Sequence, residues 1–112
     1  MEAAVPPALA ASLQTIWEKY LPRMEERLAV LEAAAAALEG NELTPEQCAA
    51  AAAAHKLAGV LGSFGLTRGT ELAREAEILC GGEPEPDPVR AARLGEIAFE
   101  LRAIVEARKR EN

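Results

Sequence analysis

Leu13, Trp17, Tyr20, Met24, Leu28, Leu31, Ala35 and Leu38 follow one another at steps of three and four residues. That spacing keeps all eight on one stripe of a single α-helix about seven turns long. The stripe passes Pro22 without changing phase and leaves that proline off it, so the sequence predicts one kinked helix with its bend near Leu21. Proline in a helix interior costs about 3 kcal/mol, which keeps a break at this point as the alternative.

Punctuation divides the rest of the chain into three more helices. Gly40 and Asn41 suit the left-handed conformation that ends a helix, and TPEQ at residues 44–47 offers an N-cap, a proline at the first helical position and a glutamine two residues on. The second helix then runs to about Phe64, with Gly65 as its terminator before LTRGT. A third, starting around Thr67, buries Leu72, Ala76 and Leu79. Residues 80–88, CGGEPEPDP, form the clearest loop, since three prolines and a glycine pair cannot continue a helix. Asp87 and Pro88 cap and open a fourth helix whose stripe is Leu94, Ile97, Leu101, Ile104 and Val105. Its ARKREN end sets cations where the helix macrodipole favours them. With aromatics at only 4% of 112 residues, and alanine dominant, a sheet is disfavoured. The expected fold is all-α: one domain over residues 1–112, an antiparallel four-helix bundle with residues 1–8 flexible.

A net charge of −6 and a pI near 4.8 exclude the basic footprint that nucleic acid or an anionic membrane requires. Cys48 and Cys80 lack CxxC spacing, and one histidine completes no metal set with them, so reduced thiols and no metal site are expected. No apolar run is long enough to span a bilayer, and MEAAVPPALAAS lacks the basic start of a signal peptide. A cytoplasmic protein is the expectation.

His55, the only histidine, lies in HKLAGVLGSFGL at residues 55–66. At 100° per residue, Ala50, Ala53, Ala54, Leu57, Val60, Leu61 and Phe64 form the apolar face of the second helix. His55 falls roughly opposite Leu57, among Ala51, Ala52, Ala58, Gly59 and Gly62. This outer face is almost without side chains, where Glu and Lys are usual. Each interior glycine costs about 0.5–1 kcal/mol relative to alanine, so an offsetting gain is expected. Small residues beside an exposed imidazole let another macromolecule bring its own active site up to the ring. Two plainer origins stand beside this one: a solvated surface histidine, and glycines that admit a neighbouring helix.

At these residues the sequence resembles the histidine phosphotransfer (HPt) domains of two-component phosphorelays, whose signature is approximately His, any residue, Leu, Lys, Gly, then small residues and a later Gly. Here the stretch reads His55, Lys56, Leu57, Ala58 and Gly59, followed by Gly62, Ser63 and Gly65, matching at all but the lysine position. The resemblance implies that His55 takes a phosphoryl group from the aspartyl phosphate of one receiver domain and passes it to the aspartate of another. It implies a carrier without kinase activity of its own, with no cofactor of its own because the receiver supplies the Mg²⁺, and with a sensor or hybrid histidine kinase upstream. The phosphoryl or receiver contact then falls to Lys56, Ala58, Gly59, Gly62, Ser63, Ala51 and Ala52, with Arg68 and Arg74 in support. Cys48 lies at the rim of that face. Ala58 stands where family members carry lysine, and Lys56, about 100° around the helix, reaches the group only by curling its stem.

The chemistry fits the residue: an imidazole has an ordinary pKa of about 6.5 and serves as a nucleophile near pH 7. No GxxxxGK[ST] loop is present for a nucleotide, and 112 residues leave no room for an ATP-binding domain beside the bundle. A freestanding monomer is expected from the Met1 start and from stripes that one bundle consumes, with a piece of a hybrid kinase as the alternative. The competing function is a non-catalytic helical adaptor that binds a partner through the same small-residue face.

Overall fold

The computed structural model describes residues 6–39, 46–81 and 88–111, which form α1 (Pro7–Glu39), α2 (Glu46–Ser63), α3 (Thr67–Cys80) and α4 (Pro88–Lys109), with no strand among them. Three residues separate α2 from α3, so α3 runs back along it. α1 packs against α2 and α4, and α3 packs against the same two from the other side, which closes an antiparallel four-helix ring. The long dimension of the molecule is 49 Å. That is the length of α1 alone, since its 33 residues span about 50 Å at 1.5 Å each.

α1 is one helix across Pro22, which lies inside it and is exposed. The unbroken phase of the stripe explains this: a break would have turned Met24, Leu28 and Leu31 away from Trp17, and all four are at most 1% exposed. The helix also begins earlier than the expected flexible 1–8 stretch allowed. Pro7 sits at its first position with φ already set, and the Ala10 N–H donates to the Pro6 carbonyl at 2.9 Å, so Pro7 and Ala8 are helical. Residues 1–5 lie outside the described residues, as do Gly40, Asn41, Thr44, Pro45 and Asp87 and the side chains of Leu38 and Cys48. Of the expected loop at 80–88, Cys80 closes α3, the Gly81 N–H donates to the Glu77 carbonyl at 3.0 Å, and Pro88 opens α4. Residues 82–87 are not described.

Gly65 ends α2 as expected, at φ +71°. Leu66 N–H reaches back to the Leu61 carbonyl at 3.0 Å and Gly65 N–H to Gly62 at 3.1 Å, the paired bonds that close a helix through a left-handed residue. Only glycine takes that φ without strain.

The core joins Trp17, Met24, Leu28 and Leu31 to Leu57, Leu61, Leu72, Leu94, Ile97, Leu101 and Val105. Buried Ala34, Ala50, Ala54, Ala73 and Ala76 let the helices approach. Trp17 meets the Phe64 ring edge-on at 5.2 Å and 87°, and Arg108 lies 4.9 Å from its ring centre, so three elements meet on one indole. Val60 and Leu79, expected in the core, are half-buried at its margin. Arginine forks line the outside of α4. Arg93 binds Glu75 of α3 through Nε and Nη2, Arg68 of α3 binds Glu100 at 2.7 and 3.3 Å, and Arg102 binds Glu32 of α1 at 2.7 and 2.9 Å.

Candidate functional site

α2 holds Leu57 and Leu61 against the core, and that register alone turns His55 outward, its side chain 74% exposed. His55 is not left to solvent. Its Nδ1 lies 3.0 Å from Oε2 of Glu77, twenty-two residues later on α3. A carboxylate can only accept, so Nδ1 carries the proton and the Nε2 lone pair is left at the far edge of the ring. Glu77 therefore holds both the tautomer and the orientation of the imidazole.

Beside the ring, His55, Ala58 and Gly59 of α2 and Arg74, Glu77 and Ile78 of α3 line a hollow of about 390 Å³. Arg74 makes no ion pair or hydrogen bond among the described residues. Ile78 is 76% exposed at the same edge, so an apolar side chain borders the charged groups. On the other flank, Leu13, Ile16, Tyr20, Gly59, Val60, Ser63 and Phe64 line an apolar groove of about 280 Å³ between α1 and α2. Gly59 belongs to both.

A Cβ on Gly59 would meet no atom within 4 Å. Nothing in the fold itself asks for glycine there, so its helix cost has no internal compensation. Gly62 differs: a Cβ there would lie 3.4 Å from Thr70 Oγ1, and Thr70 in turn lies 3.4 Å from the Ala58 carbonyl, which accepts its hydroxyl. One glycine keeps the surface clear, and the other borders α3.

The structure places the other expected contact residues at the edge of the hollow or outside it. Ala58 is buried, at 7% exposure, because α3 packs over that side of α2; only its edge reaches the hollow. Ala51 is half-buried, whereas Ala52 is exposed, and neither borders the hollow. Lys56 is exposed and does not line the hollow either, and the Ser63 hydroxyl donates back to the Gly59 carbonyl at 3.1 Å. Arg68 is committed to Glu100, which raises its own pKa and holds that carboxyl below the usual range. It serves the α3–α4 seam and not the hollow.

Glu77 was missed by sequence reasoning. No local pattern reports which residue of α3 faces His55, although Glu77 follows Arg74 by three positions and so shares its helix face. Cys80 is also at this end of α3; burial pushes its thiol up to about 11, which disfavours the reactive thiolate. No group of three His, Cys, Asp or Glu side chains suited to a metal occurs among the described residues. No described helix is long and apolar enough to cross a membrane.

The chain is 33% identical to Protein RcaC of Microchaete diplosiphon over 97 residues, covering 86% of this chain but only 15% of that protein. No solved structure matches the chain at a significant level. A family model of the Hpt domain matches residues 15–111, from the first turns of α1 to the end of α4. That match covers most of the chain, and the protein therefore belongs to the Hpt domain family, the histidine phosphotransfer modules of two-component phosphorelays.

Proposed function

We propose that His55 relays a phosphoryl group between the aspartates of two receiver domains. The observation that carries this reading is the His55–Glu77 contact at 3.0 Å beside the open face at Gly59. The Nε2 lone pair forms a bond to the phosphorus of a receiver's aspartyl phosphate. The P–O bond to the aspartyl carbonyl group breaks, and its electron pair returns to that side chain as a free carboxylate. Nδ1 keeps its proton throughout, so the phosphorylated ring carries a positive charge that faces the Glu77 carboxylate. Transfer to the second receiver runs the same step backwards.

This chain contributes the nucleophile, its orientation and a surface without obstruction. The Mg²⁺ and the acidic pocket belong to the receiver, because phosphoryl transfer depends chiefly on positioning and on neutralising charge. The apolar groove at Leu13, Ile16 and Phe64 adjoins Gly59 and offers the receiver buried area next to the reacting ring. A sensor or hybrid kinase stands upstream, and the setting is cytoplasmic, with the bundle acting as a monomer.

The test is incubation with receiver domains prephosphorylated by acetyl phosphate, followed by mass spectrometry under conditions that preserve acid-labile phosphohistidine. Label on His55, lost again to a second receiver and absent from His55→Gln, is the expected result. If receivers active on another acceptor bind this protein without labelling it, and binding survives His55→Gln, the protein is an adaptor and the relay reading falls.

A further inference from the structure

The hollow beside His55 has a charge problem. A phosphoryl group on Nε2 brings close to two negative charges at neutral pH, and Glu77 already places a carboxylate on the wall. Ala58, Gly59 and Ile78 are uncharged. Lys56, the cation next in sequence to the histidine, lies outside the lining. Arg74 is the cation that the hollow does contain.

Resting on the relay reading above, we propose that Arg74 reaches across from α3 to hold the phosphoryl oxygens on His55, so that the charge-neutralising residue comes from a different helix than the nucleophile. The geometry of α3 separates the two tasks. Glu77, three residues after Arg74, is engaged by His55 Nδ1, and no ion pair joins the two. The guanidinium therefore keeps all its donors, in a planar fork that matches two phosphoryl oxygens at once. The other arginines on this side are spent: Arg68 on Glu100 and Arg93 on Glu75. Binding to Arg74 favours the dianionic phosphoryl group and shields it from Glu77.

The experiment loads His55 without any receiver, using phosphoramidate. The Nε2 lone pair bonds to phosphorus, the P–N bond of the reagent breaks, and ammonia leaves. Phosphorus NMR then follows the second ionisation of the phosphoryl group in the wild type, Arg74→Ala, Arg74→Lys and Lys56→Ala, with thermal melting as the check on folding. The expected result is a midpoint that moves to higher pH in Arg74→Ala, is largely restored in Arg74→Lys, and stays in place in Lys56→Ala. With a competent phosphoreceiver, equilibrium labelling of Arg74→Ala falls about tenfold, in keeping with one exposed charge-assisted contact. An unchanged midpoint in folded Arg74→Ala overturns the proposal, as does a shift in Lys56→Ala of the same size. If phosphoramidate loads His55 and no receiver does, the relay reading fails while the NMR comparison still decides the role of Arg74.

Discussion

The two exposed sides of α3 are built on opposite principles. Toward α4, its charged side chains are closed off: Arg68 takes Glu100 and Glu75 takes Arg93, each fork spanning the seam. Toward α2, Arg74 has no partner among the described residues, and Glu77 is bound to an imidazole that is itself 74% exposed. The seam uses charge to fix one helix against another. The His55 face leaves charge and space available to something that is not part of the chain. Gly59 and Gly69 repeat the contrast in volume. A Cβ on Gly69 would come within 3.1 Å of Leu61, so that glycine serves internal packing, whereas Gly59 faces nothing.

The largest effect that can test this contrast is on stability. Trp17→Ala removes the indole on which α1, Phe64 and Arg108 meet, and should cost about 3–5 kcal/mol in chemical denaturation while leaving the transfer rate per folded molecule unchanged. A change in that rate would show that the core and the His55 face are not separable.

Next comes Gly59→Leu, which places a bulky side chain in open space. Labelling by a phosphoreceiver should fall about a hundredfold, roughly 2.7 kcal/mol, while the melting temperature holds or rises because a helix interior favours leucine over glycine. Labelling that proceeds at the wild-type rate would remove Gly59 from the docking face.

Glu77→Ala follows. Releasing Nδ1 should lower the labelling rate about tenfold and shift the ring away from the Nδ1–H tautomer, read by nitrogen NMR. A slower rate with an unchanged tautomer would mean that Glu77 acts on the receiver and not on the ring.

The smallest effect belongs to the seam. Arg93 and Arg68 hold the Glu75 and Glu100 carboxyls below the usual value of 4.5, mainly by hydrogen bonding. A lowered folded-state pKa contributes stability above the unfolded value and loses it as pH falls through the folded one. Arg68→Met and Arg93→Met should therefore each lower the stability only slightly at pH 7, as loss of exposed pairs does. The difference from wild type should shrink as pH falls below about 4.5. A deficit that stays constant with pH would assign the loss to side-chain packing.

Much of the architecture was legible because it depends on periodicity and on residues with restricted backbones. The three-and-four spacing of α1 crosses Pro22 because a helix keeps its phase through an exposed proline. Gly65 marked the end of α2 because only glycine adopts φ +71° freely. The same reasoning mistook the width of the core face on α2. A helical wheel centred on Leu57 puts Ala58 near its edge, and whether that edge is covered depends on how closely α3 lies against it.

The sequence by itself determined four helices, where α2 stops, and that the single histidine faces away from the core, since each follows from rotation per residue and local backbone freedom. Only the tertiary structure decided that Glu77 meets His55, that Arg68 belongs to Glu100 and that Arg74 lines the hollow. These are questions of register between helices separated by a turn. Sliding α3 by one turn, about 5.4 Å, would give His55 a different partner at little change in hydrophobic pattern. Close packing opposes such a slide: at Gly69 an added Cβ would already lie 3.1 Å from Leu61 and 3.7 Å from Ile104.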